Sequence, residues 1–360
     1  MTWQTSGVPT LDLATDAAAL TAALCDIESV SGNEARIADA VERALRTLPH
    51  LTVTRDGDTI VARTQLGRPE RVVVAGHLDT VPVAGNLPVR RESGLLVGRG
   101  TADMKGGVAV ALRLAATVPA PTRDVTYVFY DHEEVEAAKN GLGRVARAHP
   151  DWLAADFAVL MEPSDGTVEG GCNGTMRVEV TCRGQAAHSA RWWKGRNAIH
   201  EAGHVLARLQ AYEPGKVTVD GLVYREGLNA VSIRGGIAGN VIPDECVVAV
   251  NYRFAPNKTQ RHAEEHLRDL FAGYEVTVVD SSPGARPGLD HPAAAAFVAA
   301  VGLEPRPKYG WTDVARFSAL GVPAVNFGPG DPSVAHMDDE HVHVAALFEC
   351  ERVMRAWLTA

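Results

Sequence analysis

Cysteine is scarce in this chain, and none of it is spaced for a metal. Cys25, Cys172, Cys182, Cys246 and Cys350 make an odd set of five with no C-x-x-C. That argues against a disulfide framework and against a cysteine zinc site, and it fits a reducing cytoplasm. A basic excess is also missing: 35 Lys and Arg stand against 44 Asp and Glu, for a net charge of −9. Neither nucleic acid nor an anionic membrane surface is therefore expected as a partner. Local cations still leave room for an anionic small molecule. No apolar run approaches the ~18 residues of a membrane-spanning helix. The opening Met1-Thr-Trp-Gln-Thr-Ser6 lacks the basic and apolar regions of a signal peptide. Internal repeats and low-complexity tracts are absent as well.

What the chain does have is an ordinary globular composition, 46% apolar and 22% charged over 360 residues, a length that favours two domains. A helix is expected from Ala17 to Val30, capped by Thr15-Asp16, and a second through Ile37, Val41, Leu45 and Leu48. Apolar strand-like runs at 71–76, 125–130, 156–161 and 322–327 then alternate with helical segments such as Met104 to Val118. That alternation predicts an α/β domain with a mostly parallel sheet, whose sites form at the carboxyl ends of the strands. The middle reads differently. Strands at 176–182, 230–236, 246–254 and 274–280, with helices at 197–212 and 259–272, give β-α-β-β-α-β, the ferredoxin-like α+β order. We expect residues 175–285 to be an inserted domain, and 1–174 with 286–360 to form the catalytic one.

Chemistry-bearing residues gather at the predicted strand ends. His77 and Asp79 follow one apolar run; two apart on an extended segment, they share a face, and a carboxylate there can fix the tautomer of a metal-bound imidazole. Asp103 precedes a helix after a Gly-rich loop. It could serve as an N-cap, or its two oxygens could bridge two cations. Glu133 and Glu134 are adjacent, so in extended chain they point apart: one can bind metal while the other faces the attacking water as general base. Glu162 ends a fully apolar run, where a carboxylate is costly unless paired or metal-bound. His336 sits in a loop after Gly328-Pro-Gly-Asp-Pro332. The pairs His200/His204 and His262/His266 lack the glutamate of a metalloprotease helix and read as solvated helix faces. A donor set of only nitrogen and oxygen suits Zn²⁺, with Co²⁺ or Mn²⁺ also fitting.

These residues carry a resemblance that covers almost the whole chain. Gly76-His-Leu-Asp-Thr-Val-Pro82, Gly100-Thr-Ala-Asp-Met-Lys-Gly-Gly107, His132-Glu-Glu134, Glu162-Pro163 and Gly184-Gln-Ala-Ala-His-Ser189 are similar to the di-zinc aminoacylase/carboxypeptidase (M20-type metallopeptidase) family. So are Gly239-Asn-Val-Ile-Pro243, Asn251-Tyr-Arg-Phe254, Tyr309-Gly-Trp-Thr-Asp313, Asn326-Phe-Gly-Pro-Gly330 and His336. The resemblance implies two zinc ions bridged by Asp103, with His77 and Glu162 completing one site and Glu134 and His336 the other. It implies Glu133 as general base, Asp79 as the partner of His77, and a cis peptide at Asp103–Met104. His188 is expected to stabilise the oxyanion from the partner subunit of a homodimer, the insertion serving as lid and dimerisation domain. His188, Asn240, Arg253, Gly310 and Thr312 are the implied substrate-binding residues. The expected reaction is hydrolysis of an N-acylated amino acid. The later segments narrow the substrate to N-succinyl-L,L-2,6-diaminopimelate, with acetylornithine or a dipeptide as the alternative. Some relatives carry arginine where this chain has Gly171-Cys-Asn-Gly174. Arg191, Lys194 or Lys308 would then hold that substrate carboxylate.

Overall fold

The computed structural model describes residues 9–360, so the Met1–Ser6 stretch read for a leader lies outside them. The chain divides into two compact units. One holds the chain up to Gly171 together with Pro287–Arg306 and Thr312–Ala360, and the other holds Cys172–Arg286 with Pro307–Trp311.

The first unit begins with helix α1, Ala17–Cys25, whose N-terminus is capped by Asp16 accepting from the Ala19 N–H at 2.7 Å. It is five residues shorter than the predicted end at Val30 because the chain beyond it is claimed by another partner. Ser29 Oγ donates to the Leu78 carbonyl at 2.7 Å, and Val30 bridges to Thr80. Helix α2, Ala35–Arg46, follows, then strands β1, Thr52–Asp56, β2, Thr59–Arg63, and β3, Arg71–His77. Next come helix α3, Lys105–Thr117, strand β4, Asp124–Tyr130, and strand β5, Phe157–Leu160. After the second unit the chain returns as strand β6, Ala324–Asn326, and closes with helix α4, Val344–Thr359.

The main sheet runs β1-β2-β4-β3-β5-β6, followed by Glu169–Gly170 and one further short strand. Its centre is parallel, with β4 on β3, β3 on β5 and β5 on β6. Such strands are buried on both faces. Every residue of β4 and β5 is buried, as is all of β3 after Arg71. Buried residues of α1, α3 and α4 share one core with Val72, Val74, Tyr127, Phe129 and Val159. Helix α3 lies against the end of β5 at glycine distance: a Cβ on Gly107 would stand 2.1 Å from the Met161 carbonyl oxygen.

The second unit is a four-stranded antiparallel sheet in the order Gly227–Gly235, Glu245–Phe254, Gly174–Arg183, Glu275–Ser282. Two helices, Ala198–Gln210 and Gln260–Leu270, complete the β-α-β-β-α-β order, and a hairpin of Lys216–Val219 and Leu222–Arg225 is added to it. Period-2 alternation puts Met176, Val178, Val180 and Cys182 opposite Tyr252, Val250, Val248 and Cys246. These pack with Ala202, Val205, Ala263 and Leu267 of the helices. His200, His204 and His262 are exposed, as expected of solvated faces, but His266 is half-buried, its ring 5.3 Å from that of Tyr252. Burial pushes its pKa down.

No described helix is long and apolar enough to cross a membrane.

Candidate metal centre

The parallel strands deliver their last residues to one edge of the first unit. His77 ends β3 opposite Tyr130, the end of β4. Glu133 and Glu134 follow β4 by three and four residues, and Glu162 follows β5 by two. Two further groups come from loops. Asp103 stands before α3, and His336 lies between β6 and α4. The loop of His336 is brought close by a three-stranded sheet in which His341–His343 pairs with Leu95–Val97, and Leu95–Val97 with Arg90–Glu92.

Among the described residues, three ligand groups result: His77, Asp103 and Glu162; His77, Glu133 and Glu134; and Asp103, Glu134 and His336. Within each, one donor atom per residue lies within 4.8 Å of the others. Asp103 faces both imidazoles. Its Oδ1 is 3.2 Å from His77 Nε2 and its Oδ2 is 3.4 Å from His336 Nε2. His336 Nε2 is also 2.9 Å from Glu134 Oε1. Asp103 does not cap α3: Met104 occupies that position and no side chain bonds there. The peptide bond between Asp103 and Met104 is cis, as expected.

Asp79 is fully buried and does more than the sequence anticipates. The contact to His77 Nδ1 comes from its backbone carbonyl at 3.0 Å, with the carboxylate farther away at 3.6 Å. An imidazole donating from Nδ1 to a carbonyl keeps its Nε2 lone pair for a cation. The carboxylate itself accepts the N–H groups of Glu133 and Glu134, each at 3.0 Å, and the Ser31 hydroxyl at 2.6 Å. It thereby fixes the backbone that carries both glutamates.

The electrostatics are those of crowded carboxylates. Burial, and then the Glu134 charge, push Glu133 well above the usual carboxylate range, while burial and Asp103 raise Glu134. Burial would lower the pKa of His77, but the contact with Asp103 and the charges of Asp79 and Glu133 hold it well above its ordinary value. Asp103 and Glu134 push His336 up to about 10. Four carboxylates against two imidazoles make an excess of negative charge that a divalent cation relieves. The residues therefore fit a bound metal by donor type, spacing and charge.

The remaining expected residues are placed as follows. Thr312 is buried in the first unit and donates to Asn326 Oδ1 at 2.9 Å. His188, Asn240 and Gly310 are exposed in the second unit, where Arg253 is half-buried and donates to Asn251 Oδ1 at 3.1 Å. His188 Nδ1 accepts the Ala190 N–H at 3.1 Å, at the start of the turn Ser189–Lys194. Arg191 and Lys194 are exposed on that turn, whereas Lys308 is buried. Sequence reasoning missed Arg99, Lys105 and Glu340, all buried. Lys105 Nζ donates to the Leu24 and Ile27 carbonyls at 3.3 and 2.9 Å, closing the end of α1 behind the site. Its only sequence signal was its place in the motif that holds Asp103.

A strand-end cluster of this kind, on this fold, defines a hydrolase of a known class. Residues 73–360 match the model of peptidase family M20/M25/M40, and the chain belongs to that family. Family and donor set together imply use of a divalent metal. The chain is 55% identical to a Mycobacterium tuberculosis protein assigned as a succinyl-diaminopimelate desuccinylase, over 97% of this chain and 99% of that one. It is 46% identical to the succinyl-diaminopimelate desuccinylase of Corynebacterium glutamicum, over 98% of each chain. Among solved structures it resembles an M20 family metallo-carboxypeptidase from Sulfolobus solfataricus. The TM-score is 0.78 and identity 15%, over 96% of this chain and 98% of that one.

Proposed function

We propose that the protein hydrolyses the amide bond of N-succinyl-L,L-2,6-diaminopimelate, giving succinate and L,L-diaminopimelate in the route to lysine. Identities of 55% and 46%, over nearly the full length, to two proteins assigned as desuccinylases support the substrate. The observation that carries the chemistry is Asp103, whose two oxygens face two different imidazoles. In this reading His77 and Glu162 would hold one zinc ion and Glu134 and His336 a second, with Asp103 a ligand available to both. Cobalt or manganese can substitute, since every donor is nitrogen or oxygen. When bound, the pair of cations polarises the scissile carbonyl and stabilises charge developing on its oxygen.

Glu133 takes a proton from the attacking water and returns it to the departing amine. Burial and the Glu134 charge raise its pKa, the direction that favours holding the proton between the two transfers. Asp79 keeps Glu133 and Glu134 in separate tasks by fixing their two backbone N–H groups. Asn240, Arg253, Gly310 and Thr312 contact the substrate. Its distal carboxylate falls to Arg191, Lys194 or Lys308, of which the first two are exposed. His188 donates to the oxyanion from the partner subunit of a cytoplasmic homodimer formed through the inserted domain. The exposed edge strand Gly227–Gly235, with Val231 and Ile233, supports a pairing surface there.

Side-by-side turnover of N-succinyl-L,L-2,6-diaminopimelate, N-acetylornithine and a dipeptide with added zinc tests this. The succinylated substrate should give the highest kcat/KM. A higher value for either competitor overturns the assignment of substrate while leaving the hydrolytic centre in place.

A further inference from the structure

Glu340 and Arg99 form a buried link between the two loops that carry Asp103 and His336. Glu340 Oε1 accepts the backbone N–H groups of Ala102 and Asp103, at 3.1 and 3.0 Å. Its Oε2 accepts from Arg99 Nη1 at 2.8 Å, and the two side chains are 1% and 3% exposed. Arg99 Nη1 donates in turn to the carbonyl of Met337, the neighbour of His336, at 3.2 Å, and Arg99 Nε to the Pro82 carbonyl at 3.1 Å. The backbone of Glu340 joins the same link by accepting the Gly98 N–H at 2.8 Å. A continuous set of charge-assisted bonds thus runs from the backbone of Asp103 to the backbone beside His336, whose side chains face each other at 3.4 Å.

His77 and Glu162 need no such device, and Glu134 has its own in the Asp79 carboxylate. His77 is the last residue of β3 and Glu162 stands two residues beyond β5, so the sheet ladder holds their spacing. Asp103 and His336 lie on loops more than two hundred residues apart in the chain, and His336 has a positive φ of 66°. Only tertiary bonds can fix their separation. Orientation of metal ligands by groups behind them matters for affinity, because a ligand that must be ordered on binding binds less tightly.

We propose that Glu340 is a positioning residue, acting through Arg99 and the Asp103 backbone, that sets the Asp103–His336 spacing and so the affinity of the second of the two metal sites. This rests on the two-cation reading above. Glu340→Gln keeps an oxygen for the two N–H groups but replaces the carboxylate that Arg99 meets. Zinc or cobalt titration of the metal-free protein by calorimetry reads each binding step without substrate. Wild type should show two steps. Because Gln keeps an acceptor for the Asp103 backbone, Glu340→Gln should weaken one step by about 10–100-fold, the usual loss when a supporting group behind a ligand is removed, and the other step clearly less. Should the single variant fail to fold, as judged by circular dichroism, Arg99→Met/Glu340→Gln removes the buried charge pair as a whole and should give the same split. Two unchanged steps in a folded variant overturn the inference, and so does equal weakening of both, which would mark a general structural role. One step in wild type overturns the two-cation reading itself, and this inference with it.

Discussion

At the residue scale the centre is a division of labour between neighbours. Glu133 and Glu134 share a backbone held by one buried carboxylate, Asp79, yet the two side chains are assigned opposite tasks. Glu133→Gln should keep both cations and lower kcat by about 100- to 10,000-fold, since it removes only the proton acceptor. Glu134→Gln should weaken metal binding as well, because it faces His336 at 2.9 Å. Metal analysis and steady-state kinetics on both variants check this. If both hold two cations and only Glu134→Gln is inactive, the two roles are exchanged. His77, Glu133, Glu134 and Glu162 were legible from their place at the ends of strand-like runs, whereas Asp103 and His336, on loops, were legible through the family resemblance. What Asp79 bonds to was not legible. The spacing His77-x-Asp79 puts both side chains on one face, but it cannot say whether carbonyl or carboxylate meets the imidazole. Ser31 and Glu340 reach the site across 48 and 237 residues of chain, and no local pattern records such a contact.

At the element scale, period and length did most of the reading. Val72 to Ala75 is a continuous apolar run and Val125 to Tyr130 one broken only by Thr126, and they became parallel strands buried on both faces. Met176 to Cys182 alternates, and it became a strand with one buried face. The failures are short or tertiary. Helix α1 stops at Cys25 because Ser29 and Val30 bond to the loop after β3. The three-residue strands Arg90–Glu92, Leu95–Val97 and His341–His343 are too short to carry a period, and they exist because distant segments pair. Close approach of α3 to β5 is the feature on which the site most depends at this scale. Gly107→Ala would push a methyl group against the Met161 carbonyl, next to Glu162. We expect a loss of about 1–3 kcal/mol, as for an overpacked core, measured by denaturant unfolding. A variant within about 0.5 kcal/mol of wild type, the ordinary range for an inconsequential substitution, would show that the helix simply shifts away.

At the scale of the whole molecule, the expectation is a site completed between subunits. His188 lies on the second unit, whereas the six metal-centre residues lie on the first. Mixing inactive His188→Ala with inactive Glu133→Gln, and allowing subunits to exchange, should restore activity. The heterodimer has one site with both residues intact and one with both lost. Exchange verified by mass without any return of activity would place His188 in its own chain's site or in none. Layer architecture and donor types can be read from the chain before it is folded. Apolar periodicity decides which faces are buried, and parallel strands bring their carboxyl ends to one edge whatever the details. Tertiary structure alone decided how those donors are held: the Asp103 carboxylate between two imidazoles, the Asp79 carboxylate under two glutamates, and the Glu340–Arg99 link behind the loops. These depend on directional bonds between segments far apart in the chain. Their geometry is set by the packed whole, because hydrogen bonds require distances and angles that no stretch of sequence specifies alone.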